Sequence, residues 1–102
     1  SGSGPAYVFH FIEALRDAAL ALGFSEEQAR LLAIETVVGA AALAADSTED
    51  VTVLRQRVTS KGGTTEAALN SLNVDDFKAA ILRAVRAAEA RGRELGELLG
   101  KD

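Results

Sequence analysis

The chain has no cysteine, no methionine and no tryptophan, and only one proline and one histidine, in 102 residues. Without cysteine, a disulfide framework, a thiolate metal site and a thiol nucleophile are all excluded. The lone imidazole, His10, rules out a multi-histidine metal centre, so no metal is expected. Read along the chain, no apolar stretch reaches the roughly 18–20 residues needed to span a bilayer. Ser1–Tyr7 lacks the basic region of a signal peptide. No membrane association is therefore expected. The net charge of −4 argues against nonspecific binding to nucleic acid.

What is present has globular composition: 48% hydrophobic and 25% charged residues, with a length that allows one modest domain. Charge is unevenly placed. Residues 1–50 hold eight acids and two bases, whereas residues 51–102 hold seven acids and nine bases. Between Val51 and Thr65 there are three cations, Arg55, Arg57 and Lys61, and no acid. That window suits a small anion, or is merely a solvated loop.

Helical patterning dominates. Ser1-Gly-Ser-Gly-Pro5 has the composition of an added tail or of a tight turn into a helix. In the second case Ser3 or Gly4 caps it and Pro5 lies near the first helical position. Val8, Phe11, Ile12, Leu15, Ala18, Ala19 and Leu22 recur at spacings of three and four, predicting a helix that stops at Gly23. His10, Glu13 and Asp17 share its other face, which reads as solvated rather than metal-binding. Ser25-Glu-Glu-Gln28 is a capping box for a second helix. From Thr36 to Ala45 that helix carries no charge and is apolar all round, so it calls for burial on every side. A chain this short has little of itself to wrap such a helix, so the missing cover is another copy of the chain or a further domain.

Thr48 is expected to cap a short helix through Val51, Leu54 and Val58. Val51–Leu54 is the nearest approach to a strand, and too short to be one. A further short helix is expected over Glu66–Leu72. Asn73 is expected to cap the last helix, with Asp75 and Asp76 in its first turn. The buried stripe of that helix is Phe77, Ala80, Ile81, Ala84, Val85, Ala88, Leu95 and Leu98, and Gly92, Gly96 and Gly100 are expected to fray its end. The sum is an all-α fold of about five helices.

Thr59-Ser-Lys-Gly-Gly-Thr-Thr65 is the one conspicuous loop. Adjacent glycines let the backbone turn sharply and expose its N–H groups, and the following helix start favours negative charge. Ser60, Thr64 and Thr65 add hydroxyls. The Gly-x-x-x-x-Gly-Lys-Ser/Thr spacing of a P-loop is absent, so a carboxylate fits better than a nucleotide triphosphate. The plainer reading is a glycine turn followed by a threonine helix cap.

Two separated segments carry a resemblance. Ser1-Gly-Ser-Gly-Pro-Ala-Tyr-Val-Phe9 and Val58-Thr-Ser-Lys-Gly-Gly-Thr-Thr-Glu-Ala-Ala-Leu69 closely resemble the opening and the signature loop of the C-terminal domain of pyrroline-5-carboxylate reductases. The order and spacing fit across essentially the whole chain, and Lys61 stands where that family often has proline. The resemblance implies an interlocked dimerisation domain of the 6-phosphogluconate-dehydrogenase-like C-terminal type. It also implies a cytoplasmic enzyme that reduces 1-pyrroline-5-carboxylate to L-proline with NADPH or NADH. The cofactor would be bound mainly by an N-terminal Rossmann domain, and the protein would be a homodimer or a larger assembly of dimers. This chain has no Gly-x-Gly-x-x-Gly and no βαβ pattern. Residues 1–102 are therefore expected to be the dimerisation and substrate-binding half, inactive alone. The alternative is a free-standing helical dimerisation module without catalysis.

By the same resemblance, Ser60, Gly62, Gly63, Thr64 and Thr65 form the substrate site. The N–H groups of Gly63 and Thr64 would receive the substrate carboxylate, and the Thr65 hydroxyl would face the ring nitrogen as the catalytic group. Arg57 would lie toward the nicotinamide side of the cofactor.

Overall fold

The computed structural model describes residues 2–100; Ser1, which opens the expected entry turn, lies outside them. The fold is all-α, with five helices and no strand among the described residues: α1 (Gly4–Ala21), α2 (Glu26–Asp46), α3 (Val51–Arg57), α4 (Thr64–Val74) and α5 (Phe77–Leu99). The chain divides after Leu54 into two compact units.

In the first unit α1 and α2 form an antiparallel hairpin. Gly23 ends α1 as expected, at φ +100°, a conformation in which a side chain is strained. Its N–H donates to the Leu20 carbonyl at 3.0 Å and the Phe24 N–H donates to the Ala19 carbonyl at 3.1 Å. That pair of bonds is the Schellman closure of a helix. The capping box then starts α2: the Gln28 N–H donates to Ser25 Oγ at 3.2 Å, and the Ser25 N–H donates to Gln28 Oε1 at 3.1 Å. At the other end of α1, Ser3 occupies the N-cap position without capping. Its hydroxyl bonds the Tyr7 hydroxyl one turn on.

Ala29 and Ala33, both on α2, are the only fully buried residues among those described. Ile12, Leu15 and Ala19 of α1 and Ile34 and Val37 of α2 are half-buried. Val8, Phe11, Leu31, Leu32, Val38 and Leu43 remain exposed. By length and composition, α2 is apolar enough to cross a membrane, which corrects the expectation that no stretch reaches that length. Arg30 and Glu35 do not outweigh the apolar and small residues around them.

Helix α3 begins where the Asp50 carbonyl accepts the N–H groups of Val53 (3.0 Å) and Leu54 (3.2 Å). Asp50 thus takes the place expected for Thr48.

The second unit pairs α4 with α5. Helix α4 starts two residues before the expected Glu66 and runs past Asn73. Asn73 therefore does not cap α5. The reversal falls instead on Asp76, in the left-handed region at φ +53°, ψ +47°, and its carbonyl accepts the Ala80 N–H at 2.9 Å. Aspartate is among the few side-chain-bearing residues that tolerate this conformation.

Helix α5 also passes through Gly92 and Gly96 instead of fraying. Each glycine costs up to about 1 kcal/mol against alanine. The ion pairs Glu89–Arg93 and Arg91–Glu94, the latter at 2.8 Å, offset a few tenths each. The neighbouring alanine, arginine, glutamate and leucine residues are strong helix formers. The stripe expected to be buried is not: Phe77, Ile81, Val85, Leu95 and Leu98 are all exposed. Helix α4 is too short to cover a helix of 23 residues.

Candidate functional site

The loop expected to bind an anion lies wholly in the second unit. It begins as α3 closes: the Thr59 hydroxyl donates to the Arg55 carbonyl at 2.6 Å and the Thr59 N–H to the Gln56 carbonyl at 3.1 Å. Ser60, Lys61, Gly62 and Gly63 then form a tight turn, closed by the Gly63 N–H donating to the Ser60 carbonyl at 3.0 Å. Gly62, third in the turn, has φ +75°, as a type II turn requires.

Gly63 is constrained by space rather than by angle. A Cβ there would lie 3.2 Å from the Ser60 carbonyl oxygen and 3.5 Å from Ser60 Cβ. Gly63 is also the N-cap of α4, extended at φ −90°, ψ −177°, and its carbonyl accepts the Ala67 N–H at 3.2 Å. The Gly62 N–H donates to Glu66 Oε1 at 3.1 Å.

Two expectations change as a result. The Gly63 N–H, expected to face a carboxylate, is taken up by the turn. The threonines do not cap the helix, because Thr64 and Thr65 are its first two residues and no side chain caps it. The N–H groups of Thr64, Thr65 and Glu66 have no acceptor among the described residues, as expected for the first turn of a helix. The hydroxyls of Ser60, Thr64 and Thr65 likewise make no hydrogen bond there. Thr65 is half-buried, whereas Ser60, Gly62 and Thr64 are exposed. The result is a short row of unengaged N–H and O–H donors at the positive end of a helix, with the exposed Lys61 in the preceding turn.

Arg57 is the last residue of α3, exposed, three residues before the turn. Glu66 was missed as a member of this loop. Gly63-x-x-Glu66 has the N-cap-to-third-residue spacing of a capping box, but Glu66 takes the N–H of Gly62, one residue before the N-cap, so that spacing gives only part of the signal.

Elsewhere, His10 Nδ1 meets Glu13 Oε1 at 3.3 Å on an exposed face. No cluster of three potential metal ligands occurs among the described residues.

A family model described as pyrroline-5-carboxylate reductase dimerisation matches residues 1–95. The chain belongs to this family. A pyrroline-5-carboxylate reductase of Pseudomonas aeruginosa is 46% identical over 101 residues, covering 99% of this chain and 37% of the relative. A solved pyrroline-5-carboxylate reductase of Coxiella burnetii superposes with a TM-score of 0.88 at 46% identity, over 91% of this chain and 34% of that one. The Plasmodium falciparum pyrroline carboxylate reductase, solved with NADP bound, gives a TM-score of 0.84 at 40% identity, over 86% of this chain and 34% of that one. This dimerisation-family chain thus spans about a third of the length of its relatives.

Proposed function

We propose that this chain is the dimerisation and substrate-binding part of a cytoplasmic enzyme that reduces 1-pyrroline-5-carboxylate to L-proline. The observation that carries the reading is the row of unengaged donors at Ser60, Thr64 and Thr65, in a chain that matches the reductase dimerisation family almost throughout. The Thr64 and Thr65 N–H groups receive the substrate carboxylate, aided by Lys61 and the helix dipole. The Ser60 hydroxyl and the Gly62–Gly63 turn shape the rim of that cradle. The Thr65 hydroxyl faces the ring nitrogen.

Reduction adds a hydride to the imine carbon and a proton to the nitrogen. The protonated iminium is the better hydride acceptor, since positive nitrogen draws electron density from the carbon. Thr65 orients the ring and hydrogen-bonds the nitrogen as its proton is placed. NADPH or NADH supplies the hydride. The described residues do not fit the binding of a dinucleotide, because no strand feeds a glycine-rich turn here. Its binding would fall mainly to a Rossmann domain outside this chain, with Arg57 as the one contact offered from here, on the nicotinamide side.

A second copy of the chain supplies the cover that α2 and α5 lack. The family's dimerisation role and the two buried alanines, which let α2 pack closely on α1, favour a protein partner over lipid for the apolar helix.

The test uses the full-length protein that contains this domain. Oxidation of NADPH should depend on added pyrroline-5-carboxylate and yield proline in equal amount, and the isolated 102-residue chain should be inactive. No turnover by the full-length protein would overturn the reading.

A further inference from the structure

The two glycine N–H groups of the turn are held by acceptors of different kinds. The Ser60 carbonyl that holds Gly63 belongs to the turn itself and would be there with any side chains. The Gly62 N–H is held by the carboxylate of Glu66, a bond that needs this side chain at this position. That bond acts on the residue at φ +75°, where the turn is most restricted. Glu66 is the third residue of α4 and half-buried. Its carboxylate reaches back beyond the helix start instead of folding onto the N–H groups of Thr64 and Thr65, which stay without acceptors.

We propose that Glu66 is the positioning residue of this loop. By holding the Gly62 N–H, it fixes the turn and keeps the Thr64 and Thr65 N–H groups open to the substrate carboxylate. Glu66 acts through Gly62 and does not touch the substrate. The proposal rests on the reading of this loop as the substrate site.

The test compares Glu66→Ala with Glu66→Gln in the full-length enzyme. Glutamine keeps an oxygen acceptor on the same stem; alanine removes it. In Glu66→Ala, KM for pyrroline-5-carboxylate should rise about tenfold, with kcat within about twofold and KM for NADPH unchanged, because only substrate binding loses its preformed cradle. Glu66→Gln should bring KM back to within about threefold of wild type. Amide hydrogen exchange at Gly62, measured without substrate, should speed up at least about tenfold in Glu66→Ala and stay near wild type in Glu66→Gln.

Unchanged Gly62 exchange in Glu66→Ala overturns the proposal, as does a loss confined to kcat. Glu66→Gln as impaired as Glu66→Ala also overturns it, since charge rather than the held N–H would then be what counts. Should Glu66→Ala fail to fold, Glu66→Leu, which also lacks the acceptor but fills the space of the stem and suits a helix, takes its place with the same expected rise in KM and in Gly62 exchange. No turnover by the wild-type enzyme overturns the parent reading instead, so the two failures are told apart.

Discussion

Ala29 and Ala33 lie one helical turn apart on the same face of α2, and no other described residue is fully buried. Two methyl groups are a very small core. They let α1 and α2 approach closely, but they leave the remaining faces of a 21-residue apolar helix without cover. In the second unit no described residue is fully buried. Apolar side chains in such numbers stay in solution only if a further surface covers them.

That surface is expected to be a second copy, with the stretch Thr36–Ala45 in the seam. Obligate interfaces of this kind commonly bury more than about 2,000 Å² in total. The purified chain should sediment as a dimer at micromolar concentration. Ala41→Asp, which places a charge in the seam, should yield monomer or aggregate, because an unpaired buried charge is costly. Ala41→Ser should remain dimeric. A stable monomeric wild-type chain would refute the assembly.

The start of α2 offers a local test of stability. Ser25 and Gln28 satisfy each other's backbone N–H groups at 3.2 and 3.1 Å. Ser25→Ala removes one of the two bonds and should cost about 1 kcal/mol. For a chain of this size that lowers Tm by roughly 4–8 °C. Ser25→Gly should cost only a few tenths of a kcal/mol. Both are read by thermal unfolding at one fixed protein concentration, since dimerisation makes Tm concentration-dependent.

The helices were legible in the sequence where a local signal is strong. Gly23 and the Ser25–Gln28 box both act over four residues or fewer, and each occurs as read. Errors came where two local signals compete. Asn73 and Asp76 are both acceptable helix boundaries, and only the left-handed backbone of Asp76 decides between them. Gly92 and Gly96 weaken a helix on propensity alone, yet the residues around them carry it on to Leu99. Apolar periodicity located the faces of α1 and α5 that need cover. It could not say that the cover is absent from the chain itself, because a pattern marks a demand for burial and not its supplier. In the loop, glycine spacing showed a turn, but which N–H groups the turn uses depends on its closure. Ser60 takes Gly63 and Glu66 takes Gly62, which leaves Thr64 and Thr65.

The turn itself is open to test through its two glycines, which resist substitution for different reasons. Gly62→Ala must hold a side chain at φ +75°, which costs on the order of 1–2 kcal/mol. Gly62→Asn should cost less, since asparagine tolerates that region. Gly63→Ala meets no unfavourable angle but sets a Cβ 3.2 Å from the Ser60 carbonyl, so the turn must shift by a few tenths of an ångström. In the full-length enzyme Gly63→Ala should therefore raise KM for pyrroline-5-carboxylate more than it lowers Tm. Denaturation and steady-state kinetics on the three variants distinguish the cases. Equal losses of stability at Gly62 and Gly63 would contradict the difference in cause.

Thr65 is the residue on which the chemistry is expected to depend. It is half-buried, second in α4, and its hydroxyl makes no hydrogen bond among the described residues. Thr65→Val keeps the shape and removes only that hydroxyl. Because Thr65 does not cap the helix, stability should change by no more than about 0.5 kcal/mol. If the hydroxyl bonds the ring nitrogen as positive charge is stabilised there, its loss removes one hydrogen bond to a charged group, about 1.5–3 kcal/mol. That corresponds to a fall in kcat/KM of roughly ten- to a hundredfold in the full-length enzyme. Thr65→Ser, which restores the hydroxyl without the methyl, should recover most of the activity. Near wild-type kcat/KM in Thr65→Val would reduce the loop to an ordinary turn at the start of a helix and remove Thr65 from the reaction.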